Sequence, residues 1–364
     1  MVVAVLAEVA ADSVEEAAAV NPNVEFYQRL LAAELSVTKR QAILKDLGAS
    51  PSVSALLTHS ALSSAERERA KSANLDLLAK AQQHGVNLLS GDDMPRLMRE
   101  APGASPALFC WGRAEVLREP CIAIVGTRQA STYGKAVAQK FAEAFARAGV
   151  TVVSGGAFGI DAAAHKGALA ASGNTAAVLL TGIERTYPTE HRGLFQQIRS
   201  NGCLVSQFAV GVGQGKYHPI VRNHTIAALS LGVVLVEVPV RSGAITTAHA
   251  ANDLGRQVFV VPANIDNESF RGSHALIRDG ATLVDHPDQV LDALGIVSLM
   301  PDAPPAEMSD LARTILSVLS VNPTPTDLII EQTGLSSSEL LAELTMMELE
   351  GHVIRDRTGY ALKP

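Results

Sequence analysis

Apolar positions change their spacing twice along this chain. In the first hundred residues they recur at three- and four-residue intervals, through Phe26, Leu30, Leu31 and Leu35 and again through Ile43, Leu44 and Leu47. That is the period of helices burying one stripe, and no strand pattern is apparent there. Gly48 and Pro51 punctuate the second helix. From Cys121 onward the apolar residues instead form continuous short runs, "CIAIVG", "VTVVSGG", "TAAVLL", "CLVS", "GVVLVEV" and "QVFVVPA". Helical stripes separate these runs at 135–148, 160–171, 190–200, 223–230 and 245–254. Continuous runs fit strands buried on both faces, and their alternation with helices predicts an α/β, doubly wound parallel sheet. Beyond 308 the helical period returns over 309–320, 326–333 and 336–350, and two short strands then flank Thr358-Gly359, a winged-helix pattern. Pro102, Gly103 and Pro106 mark one linker and residues 300–309 another. The expected domains are 1–100 (helical), 105–298 (sheet) and 308–364 (winged helix).

Composition narrows the classes. Apolar residues make up 47% and charged residues 18% of 364, enough for a large core. Cys110, Cys121 and Cys203 lie far apart with no C-x-x-C pair, which excludes a disulfide framework and a zinc site and fits a cytoplasmic location. Glu8, Asp12, Glu15 and Glu16 interrupt the apolar N-terminus, so an amphipathic helix is expected there rather than a signal peptide. No uncharged apolar run is long enough to span a bilayer. The net charge of −7 argues against a nucleic-acid partner only if it is spread evenly, and it is not. Residues 121–290 hold fourteen Lys and Arg against eleven Asp and Glu, and seven of the ten histidines. A local anion site is compatible with an acidic chain.

The candidate chemistry gathers where strands end. In "VVSGGAFGIDAAAH" (152–165) a strand runs into Ser154, Gly155 and Gly156 and a helix opens at Asp161. Bare glycine lets backbone approach an anion, and helix-start N–H groups lack intrahelical partners, so this turn is expected to cradle a phosphate. Asp161 is expected to be a helix-start residue. In "IVGTRQASTYG" (124–134) Arg128 stands where a dinucleotide fold would have its second glycine, and the following strand ends in Ser-Gly-Gly rather than an acidic residue. Both departures disfavour a nicotinamide cofactor and favour phosphate recognition by the guanidinium. "GKYHPIVRNHTIAALS" (215–230) sets Lys216, Tyr217, His218, Arg222 and His224 in a loop leading into a helix, cations with an interleaved aromatic that suit unpaired bases. "RSGAITTAHAAN" (241–252) adds Arg241 at another helix start. The histidines form no metal-ligand spacing, and neither a nucleophile–base pair nor a cofactor motif stands out. Binding without catalysis is expected. The rival, a nucleoside-phosphate hydrolase, would need a catalytic glutamate beside a glycine turn, and Glu237, the one candidate, precedes Pro239 instead.

These motifs, with "ERTYPTEHRGLF", "RNHTIAALS" and "GSHALIRDGATLV", occur in an order that closely resembles the DNA-processing protein A (DprA, or Smf) family over about residues 105–295. The resemblance implies a Rossmann-like domain that binds single-stranded DNA regardless of sequence. It also implies protection of incoming strands and loading of a RecA-type recombinase during natural transformation, by a homodimer that is not an enzyme, with a single-strand-binding protein as a further candidate partner. The family's phosphate-binding arginine falls on Arg128, its glycine turn on Gly155 and Gly156, its loop lysine on Lys216 and its Arg-Asn pair on Arg222-Asn223. His224 stands where the family commonly has a second arginine, and is expected to be a phosphate ligand that charges on acidification. The N-terminal helices resemble a helix-hairpin-helix or SAM-like domain without its DNA-contacting glycines. The third C-terminal helix carries Glu339, Glu343, Glu348 and Glu350 and no Lys or Arg, so that domain is expected to meet a protein surface rather than duplex DNA.

Overall fold

The computed structural model describes residues 21–48, 51–296, 309–320, 323–349, 352–356 and 358–362. The helix expected before residue 21 and most of the 300–309 linker lie outside them. The chain divides into two compact units, 1–299 and 300–364.

The first unit opens with α1 (Pro22–Ala32), α2 (Val37–Leu47), α3 (Val53–Thr58), α4 (Ser64–Lys71) and α5 (Leu75–Gln83). Asn21, Ser36, Ser52, Ser63 and Asn74 each cap one of them, a side-chain oxygen accepting a first-turn N–H. Their apolar stripes meet in a small core of Phe26, Leu30, Ile43, Leu56 and Leu62. These helices also pack on the sheet. Leu31, Leu78 and Ala81 share a core with Phe109 and Trp111. The buried Gln28 amide donates to Val210 O at 2.8 Å and its oxygen accepts from Val210 N at 2.9 Å. β1 (Val86–Ser90), within the stretch expected to be wholly helical, pairs antiparallel with β2 (Ala107–Gly112) across α6 (Arg96–Glu100). It is an edge strand with one buried residue, too short and too irregular in polarity to show a strand period.

The alternation then follows as expected through β8: β3 (Cys121–Gly126), α7 (Thr132–Arg147), β4 (Thr151–Ser154), α8 (Ile160–Ala170), β5 (Thr175–Val178), α9 (Arg192–Asn201), β6 (Cys203–Ser206), α10 (His218–Leu229), β7 (Gly232–Val236), α11 (Ala244–Asp253) and β8 (Gln257–Val260); beyond it the structure adds α12 (Arg271–Arg278), β9 (Thr282–Leu283) and α13 (Pro287–Ala293). Strand order is β1-β2-β6-β5-β4-β3-β7-β8-β9, parallel from β6 to β9, with β1 and β2 an antiparallel flank. Both sheet faces are buried: Ile122 and Ile124 pack against α7 and α8, while Cys121, Ala123 and Val125 pack against α10 and α11. The order reverses between β3 and β7, so the ligand crevice of such a sheet falls outside their carboxyl ends. α10 starts earlier than expected, because Pro219 fits a helix's first turn. Arg222 therefore sits on a helix rather than a loop.

The second unit is a winged helix with its own core. α14 (Asp310–Val318), α15 (Thr326–Thr333) and α16 (Ser337–Leu349) bury Ile315, Ile329, Leu340 and Leu344 against Val353 and Tyr360 of the wing, β10 (Val353–Arg355) paired with β11 (Tyr360–Leu362). Among the described residues no helix is long and apolar enough to cross a membrane.

Candidate nucleic-acid interface

The switch point holds a crevice of about 520 Å³ lined by Arg128, Asp161, Arg222, Asn223 and Arg241, among others. The loop after β3 delivers Arg128. Thr127 N donates to Glu237 O at 3.1 Å, and Ser131 donates from N and Oγ to Glu237 Oε2 at 2.9 and 2.7 Å. Ser131 Oγ in turn caps α7 by accepting from Gly134 N at 3.0 Å. Glu237 is thus buried and consumed in anchoring this loop, at a φ of 51° that side chains rarely adopt. The loop stays fixed while the Arg128 side chain is exposed, with no hydrogen bond or ion pair among the described residues.

The turn after β4 is built differently from expectation. Gly155 N and Ala157 N both donate to Asp161 Oδ2, at 3.2 and 3.4 Å. Two of the N–H groups expected to face a phosphate are already met by a carboxylate of the same chain. Glycine is required for a steric reason: a Cβ at Gly155 would lie 1.3 Å from Arg222 Nη1. Gly156 has φ +68°, and a Cβ there would strike the Phe195 ring at 2.5 Å. Ser154 is buried, and its Oγ donates to Ile124 O at 2.6 Å, tying β4 to β3 rather than meeting a ligand.

Arg222 is 5% exposed and lies 3.8 Å from Asp161 Oδ2. Its Nε and Nη1 are buried without a hydrogen-bond partner. Burial lowers the guanidinium's pKa, against the pull of Asp161; burial raises the Asp161 pKa, against Arg222 and the two N–H donors. Asn223 Nδ2 donates to Gly243 O at 3.1 Å and Thr246 Oγ1 at 2.6 Å, locking α10 to the start of α11 beside the exposed Arg241.

Six predicted residues do not line the crevice: Ser154, Gly155 and Gly156 of the turn after β4, and Lys216, Tyr217 and His224. Lys216 and Tyr217 end the preceding loop, Tyr217 64% exposed with Lys216 Nζ 5.4 Å from its ring centre. His224 is the clear correction. Two helical residues after Arg222 it points to the opposite side of α10, half-buried against the backbone of Pro102. Burial pushes its pKa below the usual value, and the ring does not line the crevice where a cation was expected. The sequence reading also passed over Phe158 and Tyr187, exposed aromatics that join Arg128 and Gly155 around a smaller pocket at the ends of β4 and β5. An exposed aromatic beside a glycine turn was the available signal. No cluster of metal-ligating side chains occurs among the described residues.

A doubly wound sheet with arginines at its switch point is an anion-binding scaffold. The chain belongs to a particular family of them: residues 86–295 match the DNA recombination-mediator protein A family, and residues 300–357 match the DprA winged helix domain. Protein Smf of Synechocystis is 32% identical over 320 residues, 77% of this chain and 80% of that one. The X-ray structure of DNA processing protein A from Streptococcus pneumoniae superposes with a TM-score of 0.65 at 28% identity, covering 74% of this chain and 97% of its own. That of Helicobacter pylori, described for its single-stranded DNA binding mode, gives 0.53 at 26% identity, covering 58% and 95%.

Proposed function

We propose that the crevice binds the phosphate backbone of single-stranded DNA without reading base sequence. The bound strand is protected and passed to a RecA-type recombinase, by a homodimer and without turnover of the DNA. The observation that carries this is the crevice's charge: Arg128 and Arg241 exposed, Arg222 with two orphaned guanidinium nitrogens, and one buried carboxylate already engaged by two N–H groups. A phosphate in the crevice meets the exposed guanidiniums of Arg128 and Arg241, with the buried Arg222 adding positive charge behind them. Family membership and the single-strand-binding relative support the same ligand.

The test is a gel shift of the full chain on single strands of differing sequence and on duplex, with Arg128→Ala beside it, and parallel incubation with purine nucleoside monophosphates. Expected are shifts of all single strands alike, weakening in the variant, and no base release. Base release, or wild-type affinity in an Arg128→Ala/Arg241→Ala double variant, overturns the reading. Recombinase loading is tested separately, by whether the chain speeds recombinase filament assembly on strands coated with single-strand-binding protein.

A further inference from the structure

A second groove, of about 600 Å³, runs along α9 on the flank of the same sheet. Arg192, Gln196 and Arg199 stand at i, i+4 and i+7, one face of the helix, spanning about 10 Å along its axis. All three line the groove, and its floor includes Trp111 and Phe195. None of its ten lining residues is acidic. Arg199 forms no ion pair among the described residues; its guanidinium instead lies 4.3 Å from the centre of the Trp111 ring, which orients it without neutralising it. A third cavity shows the contrast. There Arg96, Arg99 and Arg118 are each within 4 Å of a carboxylate, Glu100, Asp92 and Asp93 respectively.

One loop joins the lining of the α9 groove to that of the pocket beside the crevice. Thr186 lines the groove, while Tyr187 and Pro188, next in sequence, line the small pocket that Arg128 shares with the crevice. Beneath this path His191 packs between Phe158 (4.6 Å between ring centres) and Phe195 (6.2 Å), its Nδ1 2.9 Å from Gly156 O, so α9 is fixed to the glycine turn. Cations spaced along one helix face, with exposed aromatics between them and the crevice, match an extended polyanion carrying π-faces.

We infer that single-stranded DNA leaving the crevice continues past Phe158 and Tyr187 into the α9 groove, where Arg192 and Arg199 meet its next phosphates. The inference rests on the crevice reading above. It is tested on the full chain by fluorescence anisotropy with oligodeoxythymidylates of about 4 and about 16 nucleotides. One phosphate contact on a single strand carries about 0.7 of salt slope, worth roughly fivefold in affinity at about 0.1 M salt. Arg199→Ala and Arg192→Ala/Arg199→Ala are expected to leave the short oligomer's affinity unchanged. The long one weakens by roughly fivefold per arginine, and its slope falls by about 0.7 each. Gln196→Glu, an exposed change that leaves the Trp111 stack in place, weakens the long oligomer alone. Arg128→Ala weakens both lengths. If the long oligomer binds all three groove variants as it does the wild type while Arg128→Ala still weakens it, the extension is wrong and the crevice reading stands. If Arg128→Ala changes neither length, the crevice reading falls and takes the extension with it.

Discussion

The turns after β3 and β4 lie side by side on one sheet edge, and both end a strand in glycine, yet they handle charge in opposite ways. After β3 the backbone is anchored by Glu237 and the cation is left outward: Arg128 is exposed and unpaired. After β4 the N–H groups turn inward to Asp161, which has a guanidinium of its own at 3.8 Å. The second turn resembles a phosphate cradle whose anion is built into the chain. On the proposed reading, what makes an anion site is which reachable donors remain unmet, and here those are Arg128 and Arg241.

The largest expected effect comes from breaking the internal pair. Asp161→Ala leaves Arg222 buried and uncompensated and strips Gly155 and Ala157 of their acceptor. Losing one partner of a buried pair costs about 3–5 kcal/mol, to be read from urea unfolding. A loss of less than about 1 kcal/mol, within the range of an ordinary surface change, would show that Asp161 does not hold this turn together.

Acid attacks the same side of the site. His165, on α8 beneath the β4 turn, is fully buried, with Nδ1 2.7 Å from Thr175 Oγ1 and Nε2 without a partner. Burial, with His191 and Arg222 nearby, lowers its pKa from 6.5 to about 3. The folded value lies below the unfolded one, so the unfolded chain takes up the proton first. The stability due to neutral His165 is present above pH 6.5 and is lost as pH falls from there toward about 3. His165→Asn should flatten this limb of a stability–pH curve; an unchanged limb assigns the acid loss to other groups.

Arg128→Ala probes the outward turn and should do the reverse of Asp161→Ala. Stability stays within about 0.5 kcal/mol of wild type, since the side chain is exposed and makes no hydrogen bond or ion pair among the described residues. Single-strand affinity falls roughly fivefold at about 0.1 M salt, with about 0.7 less salt slope. A variant that unfolds early and binds normally would exchange the roles assigned to the two turns.

Much of this contrast could not be read from the residues. The strands β3 to β8, their order of appearance and the three-helix-and-wing unit follow from apolar spacing, because both sheet faces and both cores are buried. The crevice's location follows from glycines at strand ends. Which way the N–H groups point does not follow, since "SGGAFGID" suits an open cradle and a closed one equally. Only the approach of Asp161 and Arg222 decides between them, and they are 61 positions apart in the chain. β1 escaped notice because an edge strand with one buried residue has no period to detect.

Removing residues 305–364 is expected to leave single-strand affinity nearly unchanged. The winged helix has a core of its own. α16 exposes Glu339 and Glu348 and carries no lysine or arginine, so a phosphate backbone would be repelled from that face. A more than tenfold loss of affinity on deletion would place part of the strand's path on this unit.

The smallest expected effect is at His224, and it separates two helix faces one residue pair apart. Read as the last member of an Arg-Asn-His run, this imidazole would strengthen DNA binding as it charges below about pH 6.5. On α10, however, the angle from Arg222 is about 200°, which takes it from the crevice to the side packed on the linker after α6. There burial favours the neutral ring, with Asp253 pulling the other way and Arg40 reinforcing the effect of burial. On the proposed reading, a phosphate in the crevice lies on the Arg222 side of α10 and away from this ring. His224→Gln should therefore leave both affinity and its change between about pH 7.5 and pH 6 as they are in the wild type. Its effect should appear instead in stability, as a slightly weaker loss on acidification, because a depressed histidine pKa destabilises the fold as pH drops. If the glutamine variant loses acid-enhanced binding, the imidazole reaches the strand and the two faces of α10 are not separated as the structure has them.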